Sequence, residues 1–245
     1  MSYEQRVEVW EDTVRRFAGE RERRSLVYNT PDGLSPPSSI IRNPNSTTRV
    51  EVVRMDCVYA AAAATAAGGN QVCILNMADW TRAGGNVAGG SRAQEEELFR
   101  RSDLHKHLHQ RYYPMRPFQT VYSRDVSFHR AGPDMDYALI PEQRYDVISA
   151  PALVGPYLTE DSSHFADEKD AEFMRQKIRH LFAIAYEQGV DTLVLSAWGC
   201  GAYGGPPQHT AELFREALTE FDGIIPHVVF AVLGDNYEPF AAVLQ

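Results

Sequence analysis

From Arg49 onward, short β-rich runs alternate with helical segments, and this alternation constrains the fold more than any other feature of the sequence. The strand-like runs are 50–53, 71–75, 145–149, 192–197 and 227–233. Helical patterns fit 58–67, 93–108, 168–188 and 208–221, and a short helix follows Asn236. Strands separated by helices of this length need crossover connections, which build a mainly parallel sheet covered on both faces. In such sheets ligands sit at the loops leaving the carboxyl ends of the strands. Upstream, residues 4–24 read as an amphipathic helix with Val7, Trp10, Val14 and Phe17 on one stripe. The Pro/Ser/Asn-rich stretch 29–48 reads as a linker, and the Tyr/Pro-rich stretch that ends near Pro141 as irregular. The expected organisation is an N-terminal helical segment and linker, 1–48, ahead of one α/β domain, 49–245.

Lys and Arg total 24 against 33 Asp and Glu, a net charge of −9. That balance argues against broad electrostatic binding to nucleic acid or to an anionic membrane. It leaves open a local anion site built from backbone N–H groups. Three cysteines, Cys57, Cys73 and Cys200, cannot form a closed disulfide framework, and their lack of any C-x-x-C spacing argues against a zinc ribbon or a thioredoxin-like motif. The first 24 residues contain no apolar signal-peptide core, and the longest apolar stretch, around 59–67, is too short to span a bilayer. The expected compartment is cytoplasmic.

Two loops satisfy the strand-end rule. One follows the run 71–75: Asn76-Met77-Ala78-Asp79-Trp80-Thr81-Arg82-Ala83-Gly84-Gly85-Asn86-Val87-Ala88-Gly89-Gly90, leading into Ser91-Arg92-Ala93-Gln94-Glu95-Glu96-Glu97. The other follows 192–197: Trp198-Gly199-Cys200-Gly201-Ala202-Tyr203-Gly204-Gly205. Glycines at this density let backbone amides approach a ligand and adopt positive φ, and amides converging at a helix start favour phosphate. No Gly-Lys-Ser/Thr follows either loop, so neither is a Walker A motif. Ser91-x-x-Gln94 fits a capping box that would place Glu95, Glu96 and Glu97 in the first helical turn. Such a run is ordinarily a solvated helix start. Beside a bound pyrophosphate, however, a carboxyl would be pushed toward its protonated form, as general acid catalysis requires.

At these residues the chain resembles the bacterial and fungal-type poly(ADP-ribose) glycohydrolases of the macrodomain superfamily. The family signature is three glycines, six to eight residues, then Gln-Glu-Glu; here Gly84-Gly85-Asn86 is followed by seven residues and Gln94-Glu95-Glu96. The second loop resembles the family's phosphate loop, with Tyr203 at its aromatic position. The resemblance implies a three-layer α/β/α macrodomain with a mixed, mainly parallel sheet and an N-terminal helical extension. It implies a glycosidase acting on poly(ADP-ribose) attached to modified proteins and releasing ADP-ribose, as a monomer, with no metal and no cofactor. Glu96 is then the catalytic acid/base and Glu95 holds ribose hydroxyls, with Gln94 positioning the signature. Asn76, Gly84, Gly85, Asn86 and Val87 line the ribose and diphosphate. Gly199, Cys200, Gly201, Ala202, Tyr203 and Gly204 cradle the pyrophosphate. Asn86 replaces the third glycine, and Asn tolerates positive φ better than most residues. Glu95, adjacent to Glu96 on a helix, is expected to point elsewhere.

Three other features carry simpler readings. His105, His107 and His109 face apart on a helix, so they read as solvated rather than metal-bound. Gly89-Gly90-Ser91 lacks the last glycine of a nucleophile elbow, so Ser91 reads as a cap. Tyr112, Tyr113 and Tyr122 suit either adenine stacking or packing. The rival functions are a macrodomain that binds ADP-ribose without cleaving it and a hydrolase of single ADP-ribose units.

Overall fold

The computed structural model describes residues 1–29 and 46–245, so most of the expected linker lies outside the described residues. The chain divides into two compact units, Met1–Asn29 with Asn76–Pro151 and Thr30–Leu75 with Ala152–Gln245.

The second unit carries the expected parallel strands. β2 (Arg49–Val53), β3 (Val72–Met77), β6 (Thr192–Leu195) and β7 (His227–Ala231) pair in the order β3-β6-β7-β2, every pair parallel. Helices α2 (Cys57–Ala66), α4 (Glu168–Glu187), α5 (Pro207–Glu220) and α6 (Tyr237–Leu244) lie within two residues of their expected positions. Ile74, Leu193, Val194 and Phe230 are fully buried, as continuous apolar runs in a doubly covered parallel sheet should be. Phe214 of α5 meets Phe230 edge-on at 5.1 Å, and Phe240 of α6 closes the cluster at 5.9 Å from Phe230. Such aromatic contacts contribute roughly 0.5–1.5 kcal/mol beyond the area they bury.

The first unit departs from expectation. Its strands β1 (Leu26–Tyr28), β4 (Thr120–Arg130) and β5 (Leu139–Ala150) pair antiparallel in the order β1-β4-β5. The stretch read as irregular therefore contains an eleven-residue strand. Its period is hidden because Ser123, Ser127, His129 and Arg130 are buried polar residues. A register shift between Ser123 and Val126, where Asp125 takes φ 57°, breaks the alternation further.

α1 (Tyr3–Arg16) opens with a capping box between Ser2 and Gln5 and stops at Phe17, well short of residue 24. Its buried positions are Arg6, Thr13 and Phe17, whereas Val14 is exposed. α3 (Gln94–Arg101) likewise ends seven residues before the expected Leu108. Ser102 turns extended to bridge Phe128 on β4, and the Asp103 carboxylate accepts the Ser127 N–H at 2.8 Å. Tertiary pairing therefore overrides the local helical period.

The histidines that follow are not solvated. His107 is buried with Nε2 3.5 Å from Asp103, and His109 Nε2 lies 3.0 Å from the Arg23 carbonyl. His105 stacks edge-on against Trp10 at 5.4 Å, and burial pushes its pKa down to about 4. Among the described residues no three His, Cys, Asp or Glu side chains are grouped to hold a metal, and no helix is long and apolar enough to cross a membrane.

Candidate active site

In the first unit, which the chain re-enters at Asn76 at the end of β3, the first glycine loop follows and leads into α3. Gln94, the first residue of α3, accepts the Met77 N–H on Oε1 at 2.8 Å and so ties the helix start to the strand end. The helix N-cap is Ala93, whose side chain caps nothing. Ser91 is therefore not the cap. Its hydroxyl instead accepts the Asn86 amide N–H at 2.8 Å, and its carbonyl accepts Arg100.

Glu95 is only 2% exposed, far from a solvated helix start. Its carboxyl group collects four donors: the Asp79 N–H at 2.7 Å, the Gly84 N–H at 3.2 Å, Asn76 Nδ2 at 3.3 Å and the Tyr113 hydroxyl at 3.3 Å. Burial nevertheless pushes its pKa up to about 8, the Asp79, Asn76 and Gly84 hydrogen bonds opposing and the neighbouring Glu96 charge adding to the shift. A carboxyl raised on folding holds its proton more tightly in the native state than in the unfolded one. Its stabilising contribution is therefore complete below about pH 4.5 and is lost as pH rises through about 8. Thermal unfolding between pH 5 and 8 should show wild-type protein losing stability relative to Glu95→Gln, whatever the variant's absolute Tm. Parallel pH profiles would refute the assignment.

Glu96, 7% exposed, accepts the Asn86 N–H on Oε1 at 3.0 Å. A Cβ added to Gly85 would stand 2.6 Å from that oxygen and 3.4 Å from Glu95 Oε2. The two carboxyls thus approach the same glycine, contrary to the expectation that Glu95 points elsewhere. The loop meets the first turn of α3 through alternate amides, Gly84 reaching Glu95 and Asn86 reaching Glu96, while the Gly85 N–H turns back to the Arg82 carbonyl. Gly84, Gly85 and Gly90 take the left-handed conformations, with φ of 75°, 54° and 77°. Asn86 has φ −109° and needs no special tolerance; its side chain is turned toward Ser91. Val87 is buried in the short turn that follows.

Asn76 is fully buried, donating from Nδ2 to Glu95 and, at 3.1 Å, to the Ser149 hydroxyl. Its Oδ1 has no hydrogen-bond partner among the described residues. Tyr113, Ser149 and the Asp79 amide are site elements missed as such in the sequence. Tyr113 stood out only as one aromatic among several, and Ser149 lies about 70 residues from its partner. Tyr122 is a core residue, its hydroxyl bonded to Asp146. Tyr112 packs against His109 and Arg111.

Behind the loop, Glu97 turns away from the other two carboxylates. It accepts Arg100 Nη1 at 3.0 Å and the Tyr137 hydroxyl at 2.6 Å, and burial with the Glu97 charge pushes the Tyr137 phenol above its ordinary range. The same guanidinium donates to the Ser91 and Arg6 carbonyls, while Arg6 Nε donates to the Gly90 carbonyl at 2.6 Å. α1 and α3 thereby hold the far end of the glycine loop between them.

In the second unit, the loop after β6 turns through Gly199 at φ 82° and Gly204 at φ 72°. The Gly205 N–H reaches the Gly199 carbonyl at 2.9 Å, and Gly155 donates to the Tyr203 carbonyl at 2.9 Å. Gly201 and Ala202 stand exposed at its tip. Burial pushes the Cys200 thiol up to about 12, which disfavours a reactive thiolate.

The family described as microbial-type PARG, catalytic domain, matches residues 9–131. Poly(ADP-ribose) glycohydrolase from Thermomonospora curvata superposes with a TM-score of 0.81 at 26% identity, covering 98% of this chain and 99% of that one. The same enzyme bound to the inhibitor ADP-HPD gives 0.77 at 26% identity, with 97% and 98% covered. Poly(ADP-ribose) glycohydrolase from Deinococcus radiodurans in complex with ADP-ribose gives 0.68 at 25% identity, with 100% and 93% covered. No protein with a curated description matches by sequence. The mixed α/β architecture is thus the macrodomain-like one of these enzymes, and the chain belongs to the microbial-type poly(ADP-ribose) glycohydrolase family.

Proposed function

We propose that the protein hydrolyses the ribose–ribose O-glycosidic bonds of poly(ADP-ribose) and releases ADP-ribose. The observation that carries this reading is the pair of carboxyls converging on Gly85, one of them, Glu96, tethered through a single oxygen. Cleavage passes through an oxocarbenium-like state. Glu96 donates its proton to the leaving ribose oxygen as the glycosidic bond breaks. As the carboxylate it then takes a proton from the water that attacks the anomeric carbon, which restores the acid.

Glu95 positions the sugar. Its Oε1 is occupied by three donors, while Oε2 receives, among the described residues, only the Asp79 N–H and keeps room for a ribose hydroxyl. Asn76 Oδ1 supplies a second buried acceptor. Gln94 holds the helix start, and Gly84, Gly85, Asn86 and Val87 form the wall along ribose and diphosphate. The amides of Gly199, Gly201 and Ala202 serve the pyrophosphate, with Tyr203 against its ribose, while Cys200 and Gly204 shape the loop by donating theirs to the Ala197 and Gly201 carbonyls at 3.1 and 3.0 Å. Residues 1–48 act as an accessory segment to a catalytic domain at 49–245. The enzyme works as a cytoplasmic monomer on polymer attached to modified proteins, without metal, cofactor or nucleic acid.

Incubation with labelled poly(ADP-ribose) should liberate free ADP-ribose, resolved by chromatography. Intact polymer after prolonged incubation, with ADP-ribose still bound, would replace this reading with a binding module. Release from singly modified protein alone would replace it with a mono-ADP-ribosyl hydrolase.

A further inference from the structure

The segment 79–84 is a loop whose two ends are both fastened to Glu95: the Asp79 N–H reaches Oε2 at 2.7 Å and the Gly84 N–H reaches Oε1 at 3.2 Å. Its tip carries Trp80, 47% exposed, and Arg82, also exposed. The tip is stiff. Asp79 Oδ1 accepts the Thr81 and Arg82 N–H groups at 2.6 and 2.9 Å, and Gly85 donates to the Arg82 carbonyl at 3.1 Å. Outside, Gln110 bonds both Ala83 and Thr81, and Met115 donates to the Trp80 carbonyl at 2.8 Å. The residues that follow Gln110 add an aromatic–cation pair beside this loop, the Arg111 guanidinium lying 5.3 Å over the Tyr112 ring. Glu22 takes part of the Arg111 charge at 3.4 Å.

A large exposed indole on a hydrogen-bonded turn, next to an arginine, suits a planar base followed by phosphate. Stacking on the ring is tolerant of base identity, and a guanidinium pairs bidentately with phosphate oxygens. We propose that this tip is a subsite for the ADP-ribose unit on the far side of the cleaved bond. Trp80 stacks the adenine of that unit, and Arg82 pairs with its diphosphate. The inference rests on the glycohydrolase reading, because only a polymer presents a second nucleotide beside Glu96. It also narrows the expectation from the net charge of −9, since a local basic–aromatic rim acts where long-range attraction is absent.

The test separates the two readings by measuring polymer affinity without turnover, in the Glu96→Gln background, alongside steady-state kinetics. Trp80→Ala should weaken polymer binding and raise the polymer KM about tenfold, with kcat little changed and the Kd for ADP-ribose itself unaltered. Trp80→Phe should restore most of the loss, and Arg82→Glu should weaken polymer binding comparably. Unchanged polymer affinity in both Trp80→Ala and Arg82→Glu would overturn the proposal. So would a parallel loss of ADP-ribose affinity, which would assign the tip to the terminal unit. An equal loss on singly modified protein would assign it to the acceptor protein instead. An inactive wild-type enzyme would sink the glycohydrolase reading, while the polymer-binding comparison would still decide the subsite.

Discussion

Replacing Glu96 with Gln should reduce ADP-ribose release from polymer by about three orders of magnitude, within the range of roughly 10²–10⁴ that a positioned acid/base contributes. Gln retains the volume and an acceptor oxygen for the Asn86 N–H, so the loop geometry survives. The amide carries no transferable acidic proton and cannot later take one from water. Calorimetric titration should find the Kd for ADP-ribose within about twofold of wild type, and Tm should hold. That split between binding and turnover separates an acid/base group from a structural one. Retention of more than a tenth of wild-type activity would remove Glu96 from the chemistry and leave Glu95, the other carboxyl at Gly85, as the group to test.

The largest stability loss is expected at Arg100, which is fully buried. Its guanidinium joins the Glu97 carboxylate to the Ser91 and Arg6 carbonyls. Truncation to Ala removes the ion-pair partner of the largely buried Glu97, and breaking a buried ion pair from one side costs roughly 3–5 kcal/mol. Denaturant unfolding should show that loss. Arg100→Lys should not recover it, because an ammonium cannot reach three acceptors in a fixed fork. A double-mutant cycle with Glu97→Gln should give a total well below the sum of the single effects. Strict additivity would mean that the two side chains are not coupled. Polymer turnover should fall with stability, since Arg100 and Arg6 both hold the loop end at Gly90 and Ser91.

The parts of the fold legible in the sequence are those where local pattern and tertiary packing agree. Strands β3, β6 and β7 read as continuous apolar runs because a parallel strand is buried on both faces. α4 and α5 read correctly because their faces meet neighbours at the helical period. β4 was hidden by its buried polar residues and by the shift at Asp125. The excess helix after α3 was read from a local period that the Ser102–Phe128 bridge and the Asp103–Ser127 bonds cut short.

At the site the division is similar. The glycines and the Gln94-Glu95-Glu96 run are contiguous, so spacing alone singles them out. Tyr113, Ser149 and Arg6 come from distant segments with no shared local signal, and only folding brings them to the loop.

The sequence by itself determined the α/β class, the two glycine loops and the family signature, because each is written in adjacent residues. Tertiary structure decided what those residues do together. It buried Glu95 among four donors, turned Glu96 onto Gly85, sent Glu97 to the Tyr137 hydroxyl and left Asn86 in an ordinary conformation. The physical reason is that desolvation and hydrogen-bond partners set the state and direction of a carboxyl group. Both come from elements far apart in the chain, which no local spacing encodes.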